Sequence, residues 1–313
     1  MNSPISLIVE PRKVISWQEF VKSTPGFSIA LDGYVKGSPK YSEAGPHLNL
    51  NHHEEVDRLA TRSTSGQMLM YIKQGLFQKF SQDGRPKANL YVNDPDQDVC
   101  LSVWLAQHNE RISGVKSEPL ISKLIFAEDS LDATAGAYPF PLESDLMQDV
   151  AWIFQPYTSQ RLNMSSLDAS QMETIIESVG ARIGKYTTGM GEKLKPDDSM
   201  EMLHQGEGWA MFKEIGLFAK SRLFQQGTYA FISYRGENPK DRHRYSYGKM
   251  SPFVFFPLEE WYGELNTREG LIGNPDCHGG GNTIGGSPRE AGSGIAPEQM
   301  AAIYTEFLKK RRE

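Results

Sequence analysis

Cysteine is scarce in this chain, because the 313 residues include only Cys100 and Cys277. Two thiols in a chain of this length do not make a disulfide framework, so the composition favours a reducing compartment. No apolar run approaches the roughly 20 residues that a membrane-spanning helix needs. The first ten residues also lack the basic start and the apolar stretch of a signal peptide. By elimination, we expect a cytoplasmic protein with no membrane partner.

An excess of positive charge is also absent. The chain has 33 Lys and Arg against 39 Asp and Glu, which gives a formal net charge of −6. Proteins that bind nucleic acids broadly present a positive surface, so nucleic acid is not expected as a partner. A local basic groove stays open as an alternative. The only internal basic cluster, Lys240-Asp241-Arg242-His243-Arg244, is short and broken by an acid, which favours a solvated loop.

The chain instead has the 39% hydrophobic content of a globular protein and enough length for two domains. In its first third, apolar alternation predicts strands over 27–31, 47–51 and 88–92, and helical spacing predicts helices over 57–80 and 98–108. Strands that alternate with helices are typical of βαβ units. We therefore expect an α/β fold with a largely parallel sheet flanked by helices.

In the later part of the chain the hydrophobic pattern is less regular. The pattern indicates a loop over 127–141, a helix over 209–224 and a strand over 252–256. A stretch over 187–208, rich in glycine, acids and lysine, is typical of a linker or mobile loop. We therefore predict an α/β domain that carries the site over 1–195 and a second, smaller α/β domain over 205–313.

Two adjacent histidines, His52 and His53, come directly after the second predicted strand. Asp32 follows the first predicted strand, and Asp96 and Asp98 follow the third. The carboxyl ends of parallel strands meet at one edge of the sheet, which is where ligands bind in such folds. We therefore expect these side chains to lie close together.

Carboxylates with an imidazole suit a divalent ion such as Mn²⁺ or Mg²⁺. Such an ion activates water near neutral pH, and two ions together can clamp the oxygens of a phosphoryl group. Each residue also has a simpler explanation. The two histidines could belong to a polar turn, Asp32 with Gly33 could form a turn, and Asp96 and Asp98 could cap the following helix.

The motifs resemble those of the DHH phosphoesterase superfamily. Asn51-His52-His53-Glu54-Glu55, followed by Ala60-Thr61-Arg62-Ser63-Thr64-Ser65-Gly66-Gln67, is similar to the family's Asp-His-His and the small-residue stretch that opens a helix after it. Asp32 sits at the distance expected for the family's isolated, metal-bridging Asp. Pro95-Asp96-Gln97-Asp98 is similar to the family's Asp-x-Asp motif.

The resemblance implies one or two bound ions, Mn²⁺ or Mg²⁺. The ligands it implies are Asp32, His52, Asp96 and Asp98, with Asp132 as a further candidate for the last acidic ligand. His53 takes the catalytic, substrate-facing role, in which it contacts or protonates the phosphate. The implied function is metal-dependent hydrolysis of phosphate esters or anhydrides on a small phosphorylated or nucleotide-like substrate.

A glycine-rich segment near the C-terminus is similar to the substrate loop of the family's second domain. It consists of Gly279-Gly280-Gly281-Asn282 and then Gly285-Gly286-Ser287-Pro288-Arg289. The resemblance implies that its backbone amides cradle phosphate across an interdomain cleft and that Arg289 adds charge and takes part in catalysis. The alternative is a flexible turn.

Three positions depart from the family pattern. Asn51 replaces the leading Asp, the Asp-x-Asp motif follows the His-His pair instead of preceding it, and Val92 stands where a His is expected four residues before Asp96. Two alternatives therefore stay open: a non-catalytic ligand-binding or assembly relative of the same fold, and a single-strand nuclease. An oligomer is compatible with either.

Overall fold

The chain forms two compact units in a computed structural model that describes residues 5–312. Residues 1–4 and residue 313 lie outside this range. The first four belong to the predicted first domain and to the segment that was compared with a signal peptide. Unit 1 comprises Met1–Ala133 and Ser144–Lys195, and unit 2 comprises Thr134–Glu143 and Pro196–Glu313.

The segment Thr134–Glu143 lies in unit 2, although the sequence analysis placed it in the first domain. Side chains of unit 2 hold its backbone. Lys220 donates to the carbonyl of Ala135 at 3.1 Å, and Ser221 donates to the carbonyl of Tyr138 at 3.0 Å. These bonds join residues more than eighty positions apart, which local sequence patterns do not reveal.

Unit 1 contains seven strands, nine α-helices and one 3₁₀ helix among its described residues. The strands are β1 Ile5–Val9, β2 Ser28–Leu31, β3 Lys40–Ser42, β4 His47–Leu50, β5 Ser81–Gln82, β6 Arg85–Pro86 and β7 Ala88–Val92. The helices are α1 Trp17–Ser23, α2 Thr64–Lys73, α3 Leu76–Lys79, α4 Gln97–Gln107, α5 Asn109–Ile112, α6 Pro119–Ala133, α7 Asp145–Ile153, α8 Gln155–Thr158 and α9 Ala169–Thr187, and the 3₁₀ helix spans Arg161–Ser166.

Five strands form the main sheet of unit 1, in the order β1-β7-β2-β4-β3. All pairs are parallel except β3 with β4. Strands β2 and β4 are buried along their whole length, as expected for central strands covered on both faces. The register places Leu31 beside Leu50, so β2 and β4 end at the same edge. The strands predicted over 27–31, 47–51 and 88–92 are confirmed to within one residue, whereas β1 and β3 of this sheet were missed.

One helix prediction and one loop prediction in unit 1 are wrong in their bounds. The helix expected over 57–80 begins only at Thr64, because the Ser63 side chain caps the Gly66 amide, and α2 ends before Gly75, whose φ is 97°. The loop expected over 127–141 is helical only as far as Ala133. Helix α6 continues to Ala133 because Leu124, Ala127, Glu128 and Leu131 line one buried face.

Unit 2 contains six strands and three helices among its described residues. They are β8 Met200–Gly206, β9 Trp209–Glu214, β10 Ala230–Glu237, β11 His243–Lys249, β12 Gly279–Gly280 and β13 Ile284–Gly286, with α10 Ala219–Gln225, α11 Leu258–Glu269 and α12 Pro297–Arg312. The sheet order is β12-β13-β11-β10-β9-β8, and only β9 with β10 is parallel.

Three predictions in unit 2 are corrected. The helix expected over 209–224 is strand β9 followed by α10, because the apolar run beginning at Trp209 is buried on both faces of the sheet. The strand expected over 252–256 is irregular, and Phe253 is almost fully exposed. Part of the predicted linker forms β8. Apolar runs alone do not separate buried strands from helices.

The chain therefore combines helices with sheets that contain parallel strands, which agrees in general terms with the α/β expectation. Across residues 5–312, every helix is too short or too polar to traverse a lipid bilayer.

Candidate metal centre

Asp32 lies directly after β2, at the edge where the parallel strands end. Its backbone has a φ of 39°, a left-handed conformation that is uncommon outside glycine. The side chain is only 4% exposed, and the Thr64 hydroxyl lies 3.3 Å from Oδ1 as a donor. The strand end and the start of α2 thus fix the carboxylate inside the protein.

His52 and His53 follow β4 at the same edge, and Asn51 holds the backbone that carries them. The Asn51 side-chain amide donates to the carbonyls of Val35 and Gly37 at 3.2 and 2.9 Å, and its oxygen accepts from the His53 amide at 3.0 Å. An aspartate could accept the last bond but could not donate the first two. The departure from Asp-His-His at Asn51 therefore has a structural reason here.

Two groups of side chains could each hold a metal ion among the described residues. One is Asp32, His52 and His53, and the other is His52, Asp98 and Asp132. Within each group the candidate ligand atoms lie within 4.8 Å of one another. The groups share His52, so four of the five predicted metal ligands and the predicted substrate-facing histidine converge in unit 1.

His52 is fully buried, yet neither ring nitrogen has a hydrogen-bond partner among the described residues. Its Nε2 is in ion-pair contact with Oδ2 of Asp132 at 2.6 Å and with Oδ1 of Asp32 at 3.3 Å, although neither contact has the geometry of a regular hydrogen bond. Oδ2 of Asp132 is unpartnered in the same sense. Buried polar atoms normally have partners, and atoms directed at a shared point between them are the pattern of a cation site.

Asp98 lies in the first turn of α4 and is buried. Its Oδ2 accepts from the Thr64 amide at 2.5 Å and its Oδ1 accepts from the Ser65 amide at 2.9 Å. The carboxylate therefore occupies the N-terminus of α2, where free amides and the helix dipole favour negative charge. These bonds fix Asp98 beside His52 and leave further lone pairs for an ion.

Asp96 belongs to neither group of possible ligands among the described residues. Its Oδ1 instead accepts from the Val99 amide at 2.8 Å and caps α4, the simpler explanation left open above. Burial, together with the charges of Asp32 and Asp94, raises the pKa of Asp96 well above its ordinary value. The metal-ligand role of Asp96 stays a prediction, and its carboxyl lies against that of Asp32.

The electrostatics of the cluster keep one imidazole positive. Burial alone would lower the pKa of His52, but the close carboxylates of Asp132 and Asp32 outweigh it and raise the pKa to about 10. Burial would raise the pKa of Asp32, but the contacts with His52 and His53 move it below its usual range. Burial and the charge of Asp132 raise the pKa of Asp98 to about 7. In the metal-free protein, a proton on His52 compensates the carboxylates.

Sequence reasoning missed two side chains near the cluster. Glu128 is 2% exposed and precedes Asp132 by one helical turn, but the region was predicted as a loop. Arg58 lies in the connection before α2, where the guanidinium donates to the carbonyl of Asp132 at 2.8 Å. The four-residue spacing of Glu128 and Asp132 was the one available signal, and it has meaning only on a helix.

The glycine-rich segment of unit 2 forms a hairpin of β12 and β13. Its glycines have packing reasons: a Cβ on Gly285 would lie 2.2 Å from the Tyr262 hydroxyl, and one on Gly280 would lie 2.3 Å from the Gly285 Cα. The Gly281 amide donates to the carbonyl of Ile284 at 2.8 Å. Arg289 is exposed in the turn beyond the hairpin. The phosphate-binding role of Gly279, Gly280, Gly281, Asn282 and Arg289 stays a prediction.

In comparisons with known proteins, no family model, no curated protein and no solved structure matches this chain.

Proposed function

We propose that unit 1 is a metal-dependent hydrolase of phosphate esters or anhydrides, with Asp32, His52, Asp98 and Asp132 as the residues that hold the ion. The single observation that carries the proposal is the buried imidazole of His52, whose unpartnered nitrogen faces the oxygens of Asp32 and Asp132 at 3.3 and 2.6 Å. A structural histidine in the same position would need hydrogen bonds to its ring nitrogens.

The donor set fits a hard divalent cation. Three carboxylates and one imidazole suit Mn²⁺, with Mg²⁺ as the second choice because imidazole is a poorer ligand for it. No thiol joins either group, so the set does not resemble a structural zinc site. The two groups share one histidine, so either one ion or two adjacent ions is compatible with the residues present.

A bound ion would supply Lewis-acid activation of water and of a phosphoryl oxygen. The chain's own residues do the remaining work. The Thr64 hydroxyl orients Asp32, and the amides of Thr64 and Ser65 orient Asp98. His53 is 36% exposed, and its Nε2 lies 2.6 Å from Asp32, so its imidazole is accessible to a substrate and is held at a fixed orientation. We propose that His53 contacts the phosphate or gives a proton to the leaving oxygen.

The substrate class follows from charge and from the resemblance to the DHH superfamily. The net charge of −6 disfavours a long polyanion, so a small phosphorylated or nucleotide-like molecule is the better candidate. We keep the glycine-rich hairpin and Arg289 as a separate proposal for phosphate binding by unit 2. Replacement of Arg289 by alanine would test that proposal without touching the metal cluster.

The experiment compares His52→Ala with His108→Gln in metal binding and hydrolysis. His108 is another histidine of unit 1 and belongs to neither ligand group. Its ring stacks on Trp104 at a centroid distance of 4.2 Å. We expect saturable Mn²⁺ binding by calorimetry in the wild type and in His108→Gln. In His52→Ala, the affinity should fall by more than about a hundredfold, because even loss of an outer-shell partner costs 10–100-fold.

Hydrolysis of small phosphate monoesters, phosphodiesters and pyrophosphate should follow the same order. If the wild type binds no Mn²⁺ or Mg²⁺, or if His52→Ala keeps full affinity, the metal site is wrong. Stoichiometric Mn²⁺ binding without hydrolysis of any of these substrates would instead favour a non-catalytic ligand-binding protein.

A further inference from the structure

Arg58 lies at the rim of the metal cluster, in the connection between β4 and α2. Its Nη2 donates to the backbone carbonyl of Asp132 at 2.8 Å and lies 3.5 Å from Oδ1 of the same residue. The guanidinium is thus held against one of the proposed metal ligands. Its side chain is 29% exposed, so it also reaches solvent.

The Nε of Arg58 is buried, and no described residue accepts a hydrogen bond from it. An unsatisfied buried donor on a charged group is costly, and native proteins rarely keep one without a reason. Because Nη2 is bound to Asp132, the guanidinium cannot turn freely to place Nε in water. Arg58 is therefore a fixed cation beside the cluster, and at least one of its N–H donors has no acceptor among the described residues.

Arg62, in the same connection, provides a comparison because it forms an ordinary solvent-exposed ion pair. Its Nη1 lies 3.5 Å from the carboxylate of Asp129, and its side chain is 56% exposed. Asp129 in turn accepts from the Ser63 amide at 2.6 Å. The pair is solvated and belongs to the cap of α2, so Arg62 needs no further partner.

We propose that Arg58 binds a non-bridging oxygen of the substrate's phosphoryl group through the N–H groups of Nη1 and Nη2. This inference rests on the proposed function. A phosphate that approaches the cluster meets a concentration of carboxylates, including Asp32, Asp98 and Asp132, that repels it. Arg58 offsets that repulsion with a planar fork of donors that matches a phosphate.

The inference places a phosphate-binding cation inside unit 1, in addition to any contribution from Arg289 in unit 2. The proposed metal ligands, His53 and Arg58 all come from residues 32–132. Unit 1 then contains the ion, the proton donor and the anion-binding group of a phosphoesterase site. The simpler alternative is that Arg58 only neutralises Asp132.

The substitution Arg58→Lys separates these two roles. Lysine keeps the positive charge beside Asp132 but lacks the planar fork of donors. The experiment titrates Mn²⁺ into metal-free protein and then inorganic phosphate into Mn²⁺-loaded protein, by calorimetry, for the wild type, Arg58→Lys, Arg58→Gln and the matched control Arg62→Lys. Circular dichroism verifies that each variant is folded.

We expect phosphate affinity to fall about tenfold in Arg58→Lys and further in Arg58→Gln, with Arg62→Lys within about twofold of the wild type. Mn²⁺ affinity should stay near the wild-type value in Arg58→Lys. Equal phosphate affinity in the wild type and Arg58→Lys overturns the inference, and so does a Mn²⁺-loaded wild type that binds no phosphate. In both cases, retained Mn²⁺ binding preserves the metal site. Failure of the wild type to bind metal removes the proposed function and this inference together.

Discussion

Two buried histidines, one in each unit, both lie beside carboxylates but differ in how completely their ring nitrogens are hydrogen-bonded. The side chains of His52 and His278 are both 0% exposed, and each has a ring nitrogen within 2.6 Å of a carboxylate oxygen. His278 is fully bonded: its Nδ1 lies 3.1 Å from the Tyr247 hydroxyl and its Nε2 lies 2.5 Å from Glu269. Neither nitrogen of His52 has an aligned partner among the described residues.

The carboxylates differ in the same way. Glu269 also accepts from the Ser293 hydroxyl at 2.7 Å, from the Gly294 amide at 2.6 Å and from Arg242 at 3.3 Å. Oδ2 of Asp132 has no aligned donor among the described residues. A buried polar network with every member bonded stabilises a fold, whereas an incomplete one is costly unless a ligand completes it. The comparison therefore indicates a structural role for His278 and supports the binding role proposed for His52.

The pH dependence of Mn²⁺ affinity tests the difference between the two histidines, and the largest effect is expected there. In the metal-free protein the pKa of His52 is raised to about 10 and that of Asp98 to about 7, so both carry protons at pH 6. Metal binding must displace these protons. Affinity should therefore rise by up to about tenfold per pH unit for each proton released, or about a hundredfold or more between pH 6 and pH 8.

Calorimetry in two buffers with different ionisation enthalpies counts the released protons. The variant His108→Gln should reproduce the wild-type profile, since His108 lies outside both ligand groups. An affinity that does not change with pH, without proton release, would mean that His52 does not coordinate the ion.

The second test is the substitution His278→Ala, which should affect stability and not metal binding. It removes the bonds to Tyr247 and Glu269 and leaves a buried cavity. We expect the free energy of unfolding to fall by about 2–3 kcal/mol, measured by urea denaturation. Mn²⁺ affinity should stay within about twofold of the wild type, because the proposed ligands lie in unit 1. Loss of Mn²⁺ binding in a variant that still folds would break the assignment of a structural role.

The sequence predicted the parts of this site that depend on strand ends. Short apolar stretches gave β2, β4 and β7 nearly to the residue, and parallel pairing then places Asp32 and His52 at one edge. Strands β2 and β4 pair directly and in parallel, with only β3 between them in the chain, so the convergence of Asp32 and His52 follows from the shared edge at which the two strands end.

The sequence could not predict the parts that depend on packing. Helix α6 brings Glu128 and Asp132 to the cluster, yet its acids made that region look like a loop. Asp96 and Asp98 are two residues apart and look equivalent, but Asp96 caps α4 whereas Asp98 accepts from the amides of α2. Contacts distant in sequence determine that Asp96 caps its own helix whereas Asp98 lies beside His52.

The smallest effect is expected from the isosteric substitution Glu128→Gln in metal-free protein, which tests whether the cluster lacks hydrogen-bond partners. Burial, together with the charges of Asp98 and Asp132, raises the pKa of Glu128 well above its ordinary value of 4.5. The native state therefore holds a proton that the unfolded state releases above about pH 4.5, so stability falls as pH rises. Glutamine removes this penalty and should stabilise the protein at pH 8 by on the order of 1–3 kcal/mol, with no gain near pH 4.5.

The matched control is Glu269→Gln, which should change stability in the opposite direction. Burial opposes ionisation of Glu269, but its bonds with His278, Gly294 and Ser293 outweigh burial and lower its pKa. Its ionised form therefore contributes stability at pH 8, and that contribution is lost only as pH falls through the lowered pKa. Urea denaturation of both variants at pH 8 and pH 4.5 should give a gain for Glu128→Gln and a loss for Glu269→Gln at the higher pH. If both variants lose stability at pH 8, Glu128 is bonded as completely as Glu269, and unit 1 has no deficit of partners for an ion to fill.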